Sequence, residues 1–209
     1  MTRLLLVRHG KTEWNESGRY QGASDIPLNE QGLQQAEALR QRLEAERIDV
    51  VYSSDLRRAA QTAEVIMAGR SAVPLLCEEL REMDFGEFEG LTFGEIRDRY
   101  PHIDWWSAQD SDLQLPGGES VMQLVERLDR FAGRLSQHAD GDTVLVVAHG
   151  GTIRGLICAL LGLGLEHWWQ IGLDSASLTQ IDLYPDRTVL SLLNDTCHVR
   201  ALEGQGVGQ

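Results

Sequence analysis

An α/β fold, a three-layer α/β/α sandwich around a mostly parallel central sheet, is what this sequence predicts, and three observations carry that expectation. Short unbroken apolar runs at Leu4–Val7, Val50–Tyr52 and Val144–Ala148 have the length and composition of strands buried on both faces, as in a parallel sheet. Between these runs lie longer segments whose apolar residues recur at helical spacing. Towards the C-terminus, Ser177–Tyr184 and Thr188–Leu193 flank Pro185, Asp186 and Arg187, which reads as a hairpin at the sheet edge.

Each element follows from its residues. After the first strand, the segment from Gln31 to Arg47 places Leu33, Ala36, Ala38, Leu39 and Leu43 on one stripe with Gln, Arg and Glu between them, which predicts an amphipathic crossover helix. Arg57–Ala68 and Val121–Leu135 have the same pattern. Ser120 precedes the latter with Gln123 three residues on, the spacing of a capping box. A further helix is expected over Thr152–Leu163. Alternation of strands and helices places helices on both faces of the sheet.

The 209 residues, 42% of them hydrophobic, suffice for one domain, expected over residues 1–200. Residues 201–209, ending in the Gly-rich run from Gly204 to Gln209, read as a disordered tail. A net charge of −13 argues against nucleic acid or an acidic membrane as partner, because both require a basic surface. The longest apolar runs are too short to cross a bilayer and no cleavage-site pattern follows Met1, so a cytoplasmic protein is expected. Cys77, Cys158 and Cys197 are odd in number and widely spaced, which suits reduced thiols rather than a disulfide framework.

In an open α/β sheet, ligands bind beyond the carboxyl ends of the strands. Three such junctions here carry cationic or imidazole side chains: Arg8-His9-Gly10, the run Ser53 to Arg58, and His149-Gly150-Gly151. The glycines permit tight turns, and the helix beginning near Thr152 would offer free N–H groups to an anion. Two histidines and at least two arginines brought together in this way suit a phosphate. No Cys or His stands at ligand spacing from His9 or His149, so no metal is expected there. The "GKT" at Gly10 to Thr12 has Leu5 where a P-loop requires glycine, which excludes a nucleotide-binding kinase.

The chain resembles the histidine phosphatase superfamily, also called phosphoglycerate mutase-like. The resemblance rests on "RHGKTEWN" at Arg8 to Asn15, "YQGASDIPLNEQGLQQA" at Tyr20 to Ala36, "SSDLRRAAQTA" at Ser53 to Ala63, "LREMDFGEFEG" at Leu80 to Gly90, "PGGES" at Pro116 to Ser120 and "AHGG" at Ala148 to Gly151. These occur in the family's order across most of the chain. Lys11 departs from the acidic or polar side chain common in relatives.

The resemblance implies that His9 is a nucleophile that becomes transiently phosphorylated, that Arg8, Arg58 and His149 surround the phosphoryl oxygens, and that Asn15 and the Gly150 N–H complete the pocket. It makes Glu82 the proton donor, with Asp84 two residues away as the alternative. Gln21, Gly22 and Ser24 match a substrate-side loop, although a polar turn before a helix would have the same composition. An insertion over about 92–120 is expected to form a small helical lid, with Trp105 and Trp106 in its wall or its own core. Met83 and Phe85 are open to both readings as well. Cys197 and His198 are expected near the end of the last strand in a structural role. No cofactor is implied.

The short segment after Glu82 lacks the extended substrate-binding motif of glycolytic mutases, which favours a phosphatase acting on a small phosphorylated metabolite. The compact length and "LLNDTCHV" at Leu192 to Val199 are similar to α-ribazole phosphatases and their broad-specificity relatives. Metal-independent phosphoserine phosphatase and phosphoglycerate mutase are the alternatives. A homodimer is compatible with the resemblance, with Trp168 and Trp169 or the strand from Ser177 as interface or core.

Overall fold

The computed structural model describes residues 1–103, 113–135 and 137–204. Within them six strands form one sheet: β1 (Thr2–Arg8), β2 (Val50–Ser53), β3 (Leu75–Leu76), β4 (Thr143–Ala148), β5 (Leu178–Leu183) and β6 (Thr188–Asp195), in the order β3-β2-β4-β1-β5-β6. β1, β2, β3 and β4 run parallel, and β5 and β6 add an antiparallel edge through the expected hairpin. Helices α1 (Glu13–Glu16), α2 (Glu30–Arg42), α3 (Arg57–Met67), α4 (Phe93–Arg99), α5 (Val121–Leu135), α6 (Gly150–Leu161) and α7 (Cys197–Gly204) complete the described elements.

Side chains alternate across β1, so Leu4 and Leu6 face one layer while Leu5 and Val7 face the other. The first core holds Leu124, Leu128 and Phe131 of α5 with Ile153 and Leu156 of α6. The second holds Leu39 of α2, Ala63 and Ile66 of α3 and Val199 of α7. The three layers are therefore those expected.

Several boundaries move. The helix expected to reach Arg47 ends at Arg42, because the Arg70 guanidinium donates to the carbonyls of Leu43 (2.5 Å) and Glu46 (2.8 Å) and supports a turn there. The helix expected from Thr152 begins at Gly150, with His149 as its N-cap residue. Residues 201–204, assigned to a disordered tail, belong to α7; Cys197 and His198 lie just beyond the end of the last strand, as expected, and open that helix. Asp195 Oδ1 accepts the Cys197 N–H at 3.0 Å and so supports its first turn. Ser120 and Gln123 form the expected reciprocal cap, with bonds of 3.2 and 2.9 Å. Of the lid over 92–120, α4 and the stretch 113–120 are described, whereas Trp105, Trp106 and the tail from 205 lie outside the described residues.

One backbone crossing places the site. The segment after β1 passes directly over the first turn of α2, where a Cβ on Gly32 would stand 2.1 Å from the Lys11 carbonyl oxygen and one on Gly10 2.5 Å from that of Gly32. Neither partner is a flexible side chain, so Gly32→Ala must push α2 away from β1. The expected cost is about 3 kcal/mol, or about 6–12 °C in Tm by thermal unfolding. Gly94→Ala, in open space on α4, should leave Tm unchanged or raise it. Equal Tm values for Gly32→Ala and wild type would show that the two segments separate without cost.

Candidate active site

The parallel register pairs Arg8 with Ala148, so the next residues, His9 and His149, emerge side by side at the carboxyl ends of β1 and β4. Their ring centroids are 5.1 Å apart, and the residues are 2% and 0% exposed. His9 Nδ1 lies 2.7 Å from the Gly10 carbonyl oxygen, which can only accept, so Nδ1 carries the proton and Nε2 keeps its lone pair. His149 has the opposite tautomer. Arg58 Nε can only donate, and it donates to His149 Nδ1 at 3.1 Å, leaving the proton on Nε2, 2.8 Å from Ser54 Oγ.

Burial holds the His9 imidazolium well below the usual histidine range, and the positive charges of Arg58 and Arg8 push it further down. Burial does the same to His149, with Arg58 again adding to it. Both rings are accordingly neutral at neutral pH. Arg58, on the first turn of α3, is fully buried, and burial lowers its pKa from 12.5 to about 10. It also donates to the carbonyls of Gly22 and Ser24, each at 2.7 Å. Arg8 donates to the Leu173 carbonyl at 2.6 Å, while its buried Nε has no partner among the described residues.

A cleft of about 170 Å³ opens over His9. Arg8, His9, Asn15, Gln21, Gly22, Arg58 and Glu82 line it, as expected from the sequence. Asn15 Oδ1 accepts from the Thr12 N–H at 3.1 Å, so the side-chain amide is oriented with its N–H₂ group free to donate. Glu82 lines the cleft and Asp84 does not; Asp84 instead accepts the Gly86 N–H at 2.9 Å. Three other expected residues stand behind the wall. His149 supports Arg58, Ser24 offers its carbonyl to Arg58 and its hydroxyl to Glu89, and Gly150 lies beside the Arg8 guanidinium, from which a Cβ there would stand 3.6 Å.

The free N–H groups at the start of α6, expected to meet an anionic ligand, are taken by the protein itself. The Glu82 carboxylate accepts from Gly151 N (3.1 Å), Thr152 N (3.2 Å) and its neighbour Met83 N (3.0 Å). An acidic side chain is favoured at a helix N-terminus. Gly151 makes this approach possible, because a Cβ there would stand 2.4 Å from Glu82 Oε1.

Sequence reasoning missed Gly18, Arg19 and Tyr20, which complete the cleft wall, while Phe85 proves to line the cleft and Met83 to be core. Residues 19 and 20 are held against the base of the insertion by the Tyr20 N–H to Leu91 and Gly90 N–H to Tyr20 bonds, both 2.9 Å. Arg154 was missed too. It lies one turn beyond Gly150 on α6, a spacing that places it on the same face, and its guanidinium sits 5.4 Å from the Trp169 ring. Trp168 is 3% exposed and belongs to the core. Among the described residues, Asp195, Cys197 and His198 form the one group whose ligand atoms gather closely enough for a metal ion, and none of the three lines the cleft. No described helix is long and apolar enough to cross a membrane.

Known proteins are similar to this chain over nearly its whole length. The histidine phosphatase superfamily (branch 1) profile matches residues 4–196. Phosphoserine phosphatase 1 of Hydrogenobacter thermophilus is 36% identical over 200 residues, 95% of each chain. The adenosylcobalamin/alpha-ribazole phosphatase of Escherichia coli is 33% identical over 195 residues, 92% of this chain and 95% of that protein. The crystal structure of the alpha-ribazole phosphatase from Shigella flexneri superposes with a TM-score of 0.83 at 32% identity, covering 92% of this chain and 96% of the other. With paired histidines at its strand ends, the half-buried Arg8 and the buried Arg58 beside them, and similarity to phosphatases along almost its entire length, the chain belongs to branch 1 of the histidine phosphatase superfamily and is a phosphatase.

Proposed function

We propose that the protein is a metal-independent phosphomonoesterase that hydrolyses a small phosphorylated metabolite, α-ribazole 5′-phosphate or a broad range of esters, through a phosphohistidine at His9 Nε2. The observation that carries this reading is the His9 tautomer. A neutral imidazole whose Nδ1–H is held by the Gly10 carbonyl presents its lone pair at the floor of a cleft lined by two guanidinium groups.

The phosphoryl group sits against Arg8, Arg58 and the Asn15 amide, whose donors oppose the negative charge of the transition state. Nε2 forms a bond to phosphorus as the bond to the ester oxygen breaks, and Glu82 gives that oxygen its proton. The Glu82 carboxylate then takes a proton from water as the water oxygen attacks phosphorus, breaking the N–P bond and releasing phosphate. His149 acts through Arg58, whose Nε–H its Nδ1 accepts. A second reading, phosphoserine as substrate, is favoured by the similarity to the Hydrogenobacter phosphoserine phosphatase.

Phosphate release in EDTA from p-nitrophenyl phosphate, α-ribazole 5′-phosphate, phosphoserine and 3-phosphoglycerate tests both. One ester turned over orders of magnitude faster than the others names the substrate, and similar rates on all support broad specificity. No release from any ester, with 3-phosphoglycerate isomerised in the presence of a bisphosphate primer, would replace hydrolysis by a mutase. Glu82→Gln should lower kcat/KM for an alkyl ester by about 10²–10⁴-fold, the usual range for a lost general acid, and that for p-nitrophenyl phosphate far less. Equal losses on both would remove Glu82 from the proton-donor role.

A further inference from the structure

Glu82 stands on a loop without regular secondary structure, between the 3₁₀ turn Glu78–Leu80 and that at Gly86–Phe88. Three backbone N–H groups hold its carboxylate, but the backbone that carries it needs its own support. One side chain supplies most of this. Arg127, on α5 and only 13% exposed, donates Nη1 to the carbonyls of Glu79 and Arg81, both at 2.7 Å, and Nη2 to that of Glu82 at 2.9 Å. Its remaining capacity goes to Glu119, at 2.7 Å from Nη2 and 3.4 Å from Nε.

Glu119 closes the bracket from the other side. Its Oε1 accepts the Asp84 N–H at 3.2 Å, and its own N–H donates to the Asp84 carbonyl at 2.9 Å. Three hydrogen bonds from one guanidinium to loop carbonyls, and two between Glu119 and Asp84, therefore fix residues 79 to 84 against α5, while two further bonds join Arg127 to Glu119. Arg127 does not line the cleft over His9; with Glu82 and Glu119 it lines a separate pocket of about 610 Å³. Nor is it a surface ion pair of the kind that contributes little, because most of its donors serve backbone carbonyls of one loop.

We propose that Arg127, braced by Glu119, is a positioning residue for Glu82 that holds its carboxyl where the leaving oxygen requires a proton. The assignment rests on the reading of Glu82 as proton donor. Its physical basis is that proton transfer needs hydrogen-bond contact, and a displacement of about 1 Å costs on the order of 10² in rate. Lysine cannot replace arginine here, because one ammonium lacks the planar fork that reaches three carbonyls and a carboxylate at once.

The test compares Arg127→Lys, Arg127→Met and Glu119→Gln with wild type and Glu82→Gln. For each, kcat/KM is measured on an alkyl phosphate and on p-nitrophenyl phosphate, whose leaving group needs little protonation. Both Arg127 variants should lose about 10²-fold on the alkyl ester and only a few-fold on the aryl ester, with Glu119→Gln between them and wild type. A generally loosened enzyme would lose activity on both esters alike, and that result, or undiminished alkyl activity, overturns the proposal. Glu119→Gln, nearly isosteric and able to keep one hydrogen bond to Arg127, decides the matter if the Arg127 variants do not fold. Absence of leaving-group dependence in Glu82→Gln itself would refute the proton-donor reading, whereas its presence there and absence in the Arg127 and Glu119 variants refutes only the positioning role.

Discussion

His9→Ala is expected to lose phosphatase activity by at least about 10⁴-fold, because removing a covalent nucleophile leaves only binding and electrostatic effects. An alkaline quench of wild type during turnover should trap a protein heavier by one phosphoryl group, and the variant should show none. The pH profile carries the same argument. Protonated His9 has no lone pair to offer, and burial together with Arg58 and Arg8 keeps the ring neutral well below the ordinary histidine value of 6.5. The nucleophile therefore stays active as pH falls through that value, and the acid limb of kcat/KM lies below 6.5 once the second ionisation of the substrate, near pKa ~6, is taken out. A limb centred at 6.5 or above would mean that the ring is solvated in the working enzyme. Vanadate should bind wild type far more tightly than His9→Ala, since its five-coordinate form needs the Nε2 ligand.

Much of this architecture was legible because a few strong patterns coincide. Unbroken apolar runs of this length suit doubly covered strands of a mostly parallel sheet, and the topology then gathers their carboxyl ends, so residues 8, 9, 58 and 149 could be placed near one another from the sequence. What remained hidden was the use each group makes of its hydrogen bonds. The N-terminus of α6 has the look of an anion site, and it is one, but the anion is the Glu82 side chain. Ser24 matches a substrate loop by residue type, yet its carbonyl and hydroxyl face Arg58 and Glu89. Helix α7 was missed because eight residues are too few for a clear apolar stripe and because the preceding strand continues to Asp195. Nothing in the sequence marks Arg127 or Arg154, since nothing local reveals which loop a guanidinium will meet.

Arg58→Met separates the contribution of that side chain to folding from its contribution to function. Arginine is desolvated here without a carboxylate in hydrogen-bond contact; its partners are two carbonyls and a neutral imidazole. The fall in its pKa from 12.5 to about 10 corresponds to a cost of about 3 kcal/mol for keeping the cation in the empty site. Methionine removes that cost and fills much of the volume, but leaves the Gly22 and Ser24 carbonyls and His149 Nδ1 without a donor, at about 1–3 kcal/mol each. At the low end of that range, reached if water hydrates the released groups, the opposing terms cancel and Tm of the unliganded variant stays within a few degrees of wild type. Activity should not survive. With Arg58 absent the phosphoryl group loses a buried charge, and kcat/KM is expected to fall by about 10³-fold or more. Vanadate supplies the decisive readout, because a ligand that binds only the native state raises Tm in proportion to its affinity. Wild type should gain several degrees at saturating vanadate and Arg58→Met almost none. A large loss of unliganded Tm would instead mean that the carbonyl contacts outweigh the desolvated charge, making Arg58 a structural clamp first and a phosphate ligand second.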